Sequence, residues 1–450
     1  MLKKKVNIIF LTLSIVISLL IHPILLLPIL YYWIKEYYNY KIYNYDTSKD
    51  YQYHFNTEPT IINLENNQFN LPSYIDNTYT VMVQIKIKSN FYSKLIMPNI
   101  SISNKTKTIK QFFEYYAQGV RYLNVSSLID DTKIIKLDAN YLNITNNKLL
   151  VYITKNIPLT NKTILFLSTH PDDAEIAGYG LYSKYNKNTH IVNISAGDSG
   201  TYITNNDKIS KEEAEKHKGK LRLIDSLTTP LFAGITQQNI YNLGYKDSKL
   251  KELYSNPVKH PNFKYYRNFN INKLKNHEHN WNSLIADLSE IIENVQPDVI
   301  LTPHPQIDSN YDHQYTTIAL NEALDNINYN DNTPILLYSN HLTNTEAYPF
   351  GEKYSIVSLP PSFYNDSFYF ESIYTQNLSD FTQVEKYYAL ESIHDVRTID
   401  VNTTFLSALK FEFRKAKKKL LGNHFYYYRK AVRDNELFFV VNKSNLHKMI

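Results

Sequence analysis

Three short stretches of this chain gather the residue types that hydrolytic chemistry needs. The first is His170-Pro171-Asp172-Asp173-Ala174-Glu175, the second Gly197-Asp198-Ser199-Gly200, and the third runs from Pro303 to His313 and holds His304, Asp308, Asn310, Asp312 and His313. The chain has no cysteine, so a metal ion here takes nitrogen and oxygen ligands. A catalytic zinc wants three such ligands and one open position for water. His170 and Asp173 stand three apart on a turn leading into a helix, so both can face one ion, and a distant His313 closes the triangle. Asp172 lies between the first two and is placed to accept a proton from water. A plainer reading exists for each stretch alone: His-Pro-Asp-Asp suits a helix start with acids in its first turn, and Asp308 and Asn310 suit a turn. Their joint placement at successive strand ends favours the metal.

The elements around them support that placement. Thr163 to Ser168 (TILFLS) is a short apolar run of the kind buried in a parallel sheet. Helical spacing follows to Tyr185, then a strand from His190 to Ser195 and a charged helix from Ser210 to about Leu227. Further on, Trp281 to Val295 reads as a helix, Asp298 to Thr302 as a strand, Thr316 to Leu324 as a helix and Pro334 to Tyr338 as a strand. Alternating strands and helices predict an α/β, Rossmann-like parallel sheet with flanking helices over residues 162–445. Ligands bind at the carboxyl ends of such strands, which points to the loops after Ser168, Ser195 and Thr302. Before it, Val81, Val83, Ile85 and Ile87 alternate with Met82, Gln84, Lys86 and Lys88, the mark of a half-buried strand, and residues 57–158 read as a small β-sandwich. That unit either binds glycan or braces the catalytic domain, and bracing is favoured. Lys35 to about Asn56 reads as a polar spacer.

Val6 to Ile34 carries no charge, exceeds the ~20 apolar residues that span a bilayer, and ends in Tyr31, Tyr32 and Trp33, an interfacial belt. A signal peptide has a shorter apolar core and small residues at its end, so residues 6–34 are expected to be an uncleaved transmembrane anchor. Lys3 to Lys5 on one side and Lys35 and Lys41 on the other do not decide its sidedness. The net charge of +5 is mild and its one basic run, Lys415 to Lys419, is short, so no nucleic-acid surface is expected. The 40 tyrosines reflect compositional bias rather than function.

With these motifs in view, the region from Lys162 onward resembles the N-acetylglucosaminyl-phosphatidylinositol de-N-acetylases and their bacterial relatives, the PIG-L/LmbE-like zinc deacetylases. His170 to Glu175 carries the resemblance most specifically. Gly197 to Gly200 looks like the family's Gly-acidic loop, Leu243-Gly244-Tyr245-Lys246-Asp247-Ser248 like its Leu-Gly-x-x-Asp segment, and Asp308 to His313 like its second metal motif. The resemblance implies one zinc per chain on His170, Asp173 and His313, Asp172 as general base, and substrate contacts from Asp198 and Asp247; His304, directly after the strand ending at Thr302, is expected at the substrate as well. It implies hydrolysis of the N-acetyl group of an amino sugar. The chain departs from the family where many relatives have histidine, since Asn310 donates a hydrogen bond to an oxyanion but carries no proton to a leaving amine. The acid then falls to Asp172 itself or to a histidine of another loop, His341 ahead of His304. Membrane anchoring, in a bacterial inner membrane, makes a glycolipid or envelope polysaccharide the expected substrate. The alternatives are a zinc amidase or esterase acting elsewhere, and an inactive glycan-binding membrane protein of the same fold.

Overall fold

The apolar run TILFLS becomes a strand buried along its whole length, β10 (Ile164–Ser168), and the C-terminal half of the chain, the expected catalytic half, is built around it. In the computed structural model, residues 26–200, 209–256, 266, 274–275, 278–363, 368–396, 413 and 430–450 are described. Residues 6–25 of the expected anchor and the run Lys415 to Lys419 lie outside them. Among the described residues no helix is long and apolar enough to cross a membrane.

The N-terminal half consists of α1 (Leu26–Lys41) followed by β1 (Thr60–Asn63), β2 (Gln68–Asn70), β3 (Tyr79–Ser89), β4 (Asn99–Ser103), β5 (Thr108–Phe112), β6 (Gln118–Asn124), β7 (Ile134–Asn140), β8 (Leu142–Ile144) and β9 (Lys148–Lys155). One antiparallel sheet runs β1-β9-β3-β6 with β8 on β3, and a second runs β2-β7-β4-β5. Val81, Val83, Ile85 and Ile87 point into the core between them, as their alternation requires. The opposite face of β3 differs from a solvated one. Met82 is buried among residues of the catalytic half, together with Tyr122 and Tyr51, while Lys86 and Lys88 are exposed. One face of the sandwich therefore leans on the other half of the chain.

That half continues from β10 through α2 (Asp173–Lys184), β11 (Thr189–Ser195), α3 (Lys211–Phe232), β12 (Ile240–Tyr245), α4 (Leu250–Ser255), α5 (Trp281–Val295), β13 (Val299–Pro303), α6 (Tyr311–Asn326), β14 (Pro334–Tyr338), β15 (Ser372–Asn377), α7 (Asp380–Ser392), β16 (Asn435–Asn442) and α8 (Lys443–Leu446). Its sheet has the order β12-β11-β10-β13-β14-β16-β15. From β12 to β14 neighbouring strands are parallel, and β16 pairs antiparallel with both β14 and β15. The order reverses direction at β10, which has β11 on one side and β13 on the other. The loops after β10 and β13 thus open beside each other, at the point where such sheets bind ligands.

The segment read as a spacer is packed. Tyr43 and Tyr51 are buried, and Tyr53 stacks on Phe439 of β16 at 6.3 Å between ring centroids. Asn44 donates its backbone N–H to Asn344, and the Thr345 hydroxyl donates to the Ile42 carbonyl. Tyr and Phe, not polar residues, decide the fate of this stretch: their apolar area outweighs the solubility of the Asn, Asp and Lys between them. The sandwich itself meets the catalytic sheet through polar bonds at β15, where Thr375 N donates to Thr80 Oγ1 at 2.9 Å, and through the 2.6 Å pair of Lys107 with buried Asp434.

Candidate metal centre

The motif after β10 is shaped by its own short side chains. Ser168 Oγ donates to the His170 carbonyl at 2.6 Å and accepts from Ala174 N at 3.2 Å, which turns the chain sharply into α2. Asp172 occupies the N-cap position of that helix but makes no capping bond, and Asp173 folds back so that Oδ2 accepts from His170 N at 2.8 Å. The two aspartates are thus not spent on the helix end.

Asp173 Oδ2 lies 3.2 Å from His170 Nδ1 and 3.1 Å from His313 Nε2, and the two nitrogens are 3.1 Å apart. Ligands held about 2.0 Å from a tetrahedral zinc are separated by about 3.3 Å, so this donor triangle has the right size and the right elements. His313 arrives differently from the sequence expectation. It sits in the first turn of α6 rather than in the preceding loop, because Asn310 caps that helix by accepting from Asp312 N at 2.9 Å.

Each histidine is backed by a carboxylate. Asp308 Oδ2 stands 3.0 Å from His313 Nδ1, and Asp247 Oδ1 stands 3.2 Å from His170 Nε2. Asp312 Oδ2 is 4.0 Å from the same His170 nitrogen and accepts from Ser248 N, while Asp312 Oδ1 accepts from Leu250 N. His170, Asp247 and Asp312 form a second set of mutually close donors on the far side of the ring. Such backing fixes the tautomer and aims the opposite ring nitrogen at a metal. Asp308 is held in turn by the N–H groups of Asn310, Asn340 and His341. Asn340 also donates from Nδ2 to Asp173 Oδ1 at 2.8 Å, steadying the third donor.

The electrostatics follow from crowding buried acids around two imidazoles. Burial alone would depress His313, but the charges of Asp173 and Asp308 overcome it and lift it to about 10. His170 is likewise opposed by burial and carried well above its ordinary value by Asp173 and Asp247. Asp173 resists its burial and stays well below the usual carboxylate range beside His313 and His170. Positive charge suits this cluster, and a divalent cation between the three donors would supply it. For Asp172 burial wins and raises the pKa, although Arg222 opposes it from 2.7 Å. Arg222 is buried on α3 and pairs also with Asp395 at 2.6 Å. It reaches this position past Gly197, whose φ of +60° and lack of a Cβ make room: a Cβ there would stand 2.8 Å from the guanidinium. Glu175 is buried on α2, where burial lifts it to about 7 and Tyr182 donates to it.

The remaining residues expected at the site fall in different places. His341 brings its ring to 5.4 Å from that of His313 and sets Nδ1 3.5 Å from Glu346. Glu346 is exposed, and against a partial desolvation that would raise it, His341 and Lys430 hold it to about 2. Asp198 pairs with Lys246 at 2.7 Å and accepts from Tyr266 and from Asp247 N, so it braces the Asp247 loop. Asp247 itself stands behind His170 instead of in the open. His304 is fully buried, its ring edge-on to Phe368 at 4.6 Å, and burial lowers it to about 3. Such a ring is a core group, and a substrate-binding role for it loses its basis. Arg222, Asn340 and Glu346 escaped the sequence reading because no spacing links them to the motifs; only the fold carries them there.

Comparison with known proteins adds three findings. Residues 165–324 match the model of the PIG-L family, GlcNAc-PI de-N-acetylase. No curated protein matches the chain. Among solved structures, similarity is found to an N,N'-diacetylchitobiose deacetylase from Pyrococcus horikoshii (18% identity, 64% of this chain and 88% of the other, TM-score 0.38). It extends to a deacetylase of the A40926 pseudoaglycone (16% identity, 63% and 98%, TM-score 0.34) and to the zinc-inhibited form of a teicoplanin deacetylase (14% identity, 62% and 98%, TM-score 0.34).

Proposed function

We propose, from the match of residues 165–324 to the PIG-L deacetylase family model, that the chain is a zinc-dependent amidase that removes the N-acetyl group from an amino sugar. The observation that carries the proposal is the triangle of His170 Nδ1, Asp173 Oδ2 and His313 Nε2, with edges of 3.1 to 3.2 Å, inside the matched region. Zinc held there would supply Lewis-acid polarisation of the acetyl carbonyl and of the attacking water. Asp172 takes the proton from that water, and the pairing of Arg222 with its Oδ1 leaves Oδ2 to do so. Asp247 and Asp308 hold the two imidazoles in their ligating tautomers. His341, oriented by Glu346, gives a proton to the departing amine, the role that Asn310 is unable to fill. Acetate and a free amino sugar result.

The uncharged run Val6 to Ile34 supports a membrane anchor, and with it a glycolipid or envelope polysaccharide as substrate. The test is direct. The zinc-loaded protein should release acetate from an N-acetylglucosamine glycolipid, and envelope glycans from cells lacking the gene should be heavier by about 42 Da per retained acetyl group. Zinc uptake with no acetate released from any N-acetylated sugar would overturn the proposal and leave a zinc amidase or esterase acting on another substrate, or an inactive glycan-binding protein.

A further inference from the structure

The described end of the apolar run is a helix that does not stand alone. In α1, Leu27, Leu30, Tyr31, Ile34 and Tyr37 are exposed. Beside it, the single 3-10 turn between β3 and β4 carries Phe91 and Tyr92, which are 63% and 62% exposed, and Ile96 follows at 44%. The two elements are fastened together. Tyr32 stacks on Phe91 with 12° between the rings, Lys94 pairs with Glu36 at 2.9 Å, and Asn39 Nδ2 donates to the Lys94 carbonyl at 2.7 Å. The result is two exposed groups of apolar and aromatic side chains, one on each of two parts of the chain that are fastened together, more than proteins surrounded by water usually display.

Two features choose the occupant. Residues 6–34 lead into this surface as an uncharged run long enough to span a bilayer, so its upstream margin is continuous with a segment suited to hydrocarbon. Its downstream margin has the mixed chemistry of a head-group zone: Lys35, Lys41 and Lys94 lie over the rings of Tyr31, Tyr37 and Phe91, at 5.8, 4.4 and 5.3 Å from their centroids. Aromatic rings with lysines beside them favour that depth of a membrane, the amines reaching the phosphates and the rings lying below.

We propose that the turn Phe91–Ile96 of the β-sandwich is an interfacial membrane contact, a second foothold seated in lipid beside the helix that enters it. The sandwich then holds the catalytic domain at a fixed tilt over the membrane. This inference rests on the anchor reading of residues 6–34 and is independent of the deacetylase reading.

The absence of cysteine makes the test clean. Full-length protein carrying Y92C, I96C or, as control, F381C on α7 is labelled with a nitroxide and reconstituted in vesicles of phosphatidylethanolamine and phosphatidylglycerol. All three positions are exposed, so the fold tolerates the label. The labels at 92 and 96 should be reached by oxygen dissolved in the bilayer and shielded from a water-soluble nickel chelate, while the label at 381 shows the reverse. Nickel access at 92 and 96 equal to that at 381 overturns the proposal. So does dipolar broadening between labels, which identifies a second copy of the chain as the occupant. Failure of the protein to float with the vesicles overturns the anchor and the foothold together, whereas acetate release in the same samples reports on the catalytic reading alone.

Discussion

At the scale of single residues, the proposed site separates ligands, a base and the groups behind them, and each class should have its own signature. His313→Ala should abolish zinc binding and turnover together. Asp308→Asn removes the carboxylate behind His313 Nδ1 and weakens its hold on the Asn340 and His341 N–H groups, so zinc affinity, measured by competition with a chelator, should fall about 10–100-fold while some activity survives at saturating metal. Asp172→Asn should keep zinc and lose turnover by ~10²–10⁴, and equal loss of both would make Asp172 a ligand. His304 offers a test unconnected with catalysis. Its pKa is about 3 in the fold against 6.5 as a free side chain, so between those values the unfolded chain binds the proton and the folded one does not. The stability contributed by neutral His304 is therefore complete above pH 6.5 and drains away as the pH falls toward 3, by about 3 kcal/mol at pH 4.5. His304→Asn keeps an acceptor for Gln306 N and should flatten that part of the acid unfolding curve, as followed by urea titration at several pH values. An unchanged acid limb would mean that His304 is protonated in the fold.

At the scale of elements, Asn310 is where the sequence reading and the structure part most usefully. In sequence it is a missing histidine; in the fold it is the cap of α6, and the cap determines where His313 points. Asn310→Ala should cost about 1 kcal/mol of stability and loosen the first turn of α6, so zinc affinity should fall as well, whereas Asn310→Asp keeps the cap and should keep the metal. A variant that loses the cap but binds zinc normally would show that α6 is held by its packing alone. The strands β10, β11, β13 and β14 were legible because buried parallel strands are short continuous apolar runs with a helix between them. The start of α6 was not legible from periodicity, since Tyr311, Asp312 and His313 carry no apolar repeat and only the capping bond extends the helix over them. Nor were β15 and β16: their neighbours in the sheet come from distant parts of the sequence, and nothing local records that pairing. The motif residues His170, Asp173 and His313 could be singled out by type and spacing. Their backing by Asp247 and Asp308 required coordinates, because a carboxylate behind a ring looks in sequence like any other turn residue.

At the scale of the whole molecule, the stretch 42–56 decides how far the N-terminal region can be trimmed. Removing residues 1–34 leaves Glu36 to pair with Lys94 and all the buried tyrosines in place, so the trimmed protein should fold, bind zinc and unfold at nearly the temperature of the full chain. Removing residues 1–56 strips Tyr43, Tyr51 and Tyr53 from the seam between sandwich and catalytic sheet, at a cost on the order of 5 kcal/mol or more, and calorimetry should show the two halves melting separately or the protein failing to fold. Equal melting of the two trimmed forms would return this stretch to the status of a linker. The same seam sets an order on synthesis. β16 lies between β14 and β15 in the sheet but follows both in sequence, and its Phe439 is the ring on which Tyr53 stacks. A growing chain therefore completes its sandwich, and even the proposed metal ligands, while β14 still shows a bare edge and the inner face of the sandwich lacks Phe439. A chain that ends before Asn435 would carry every residue of the proposed site and no finished sheet to hold them.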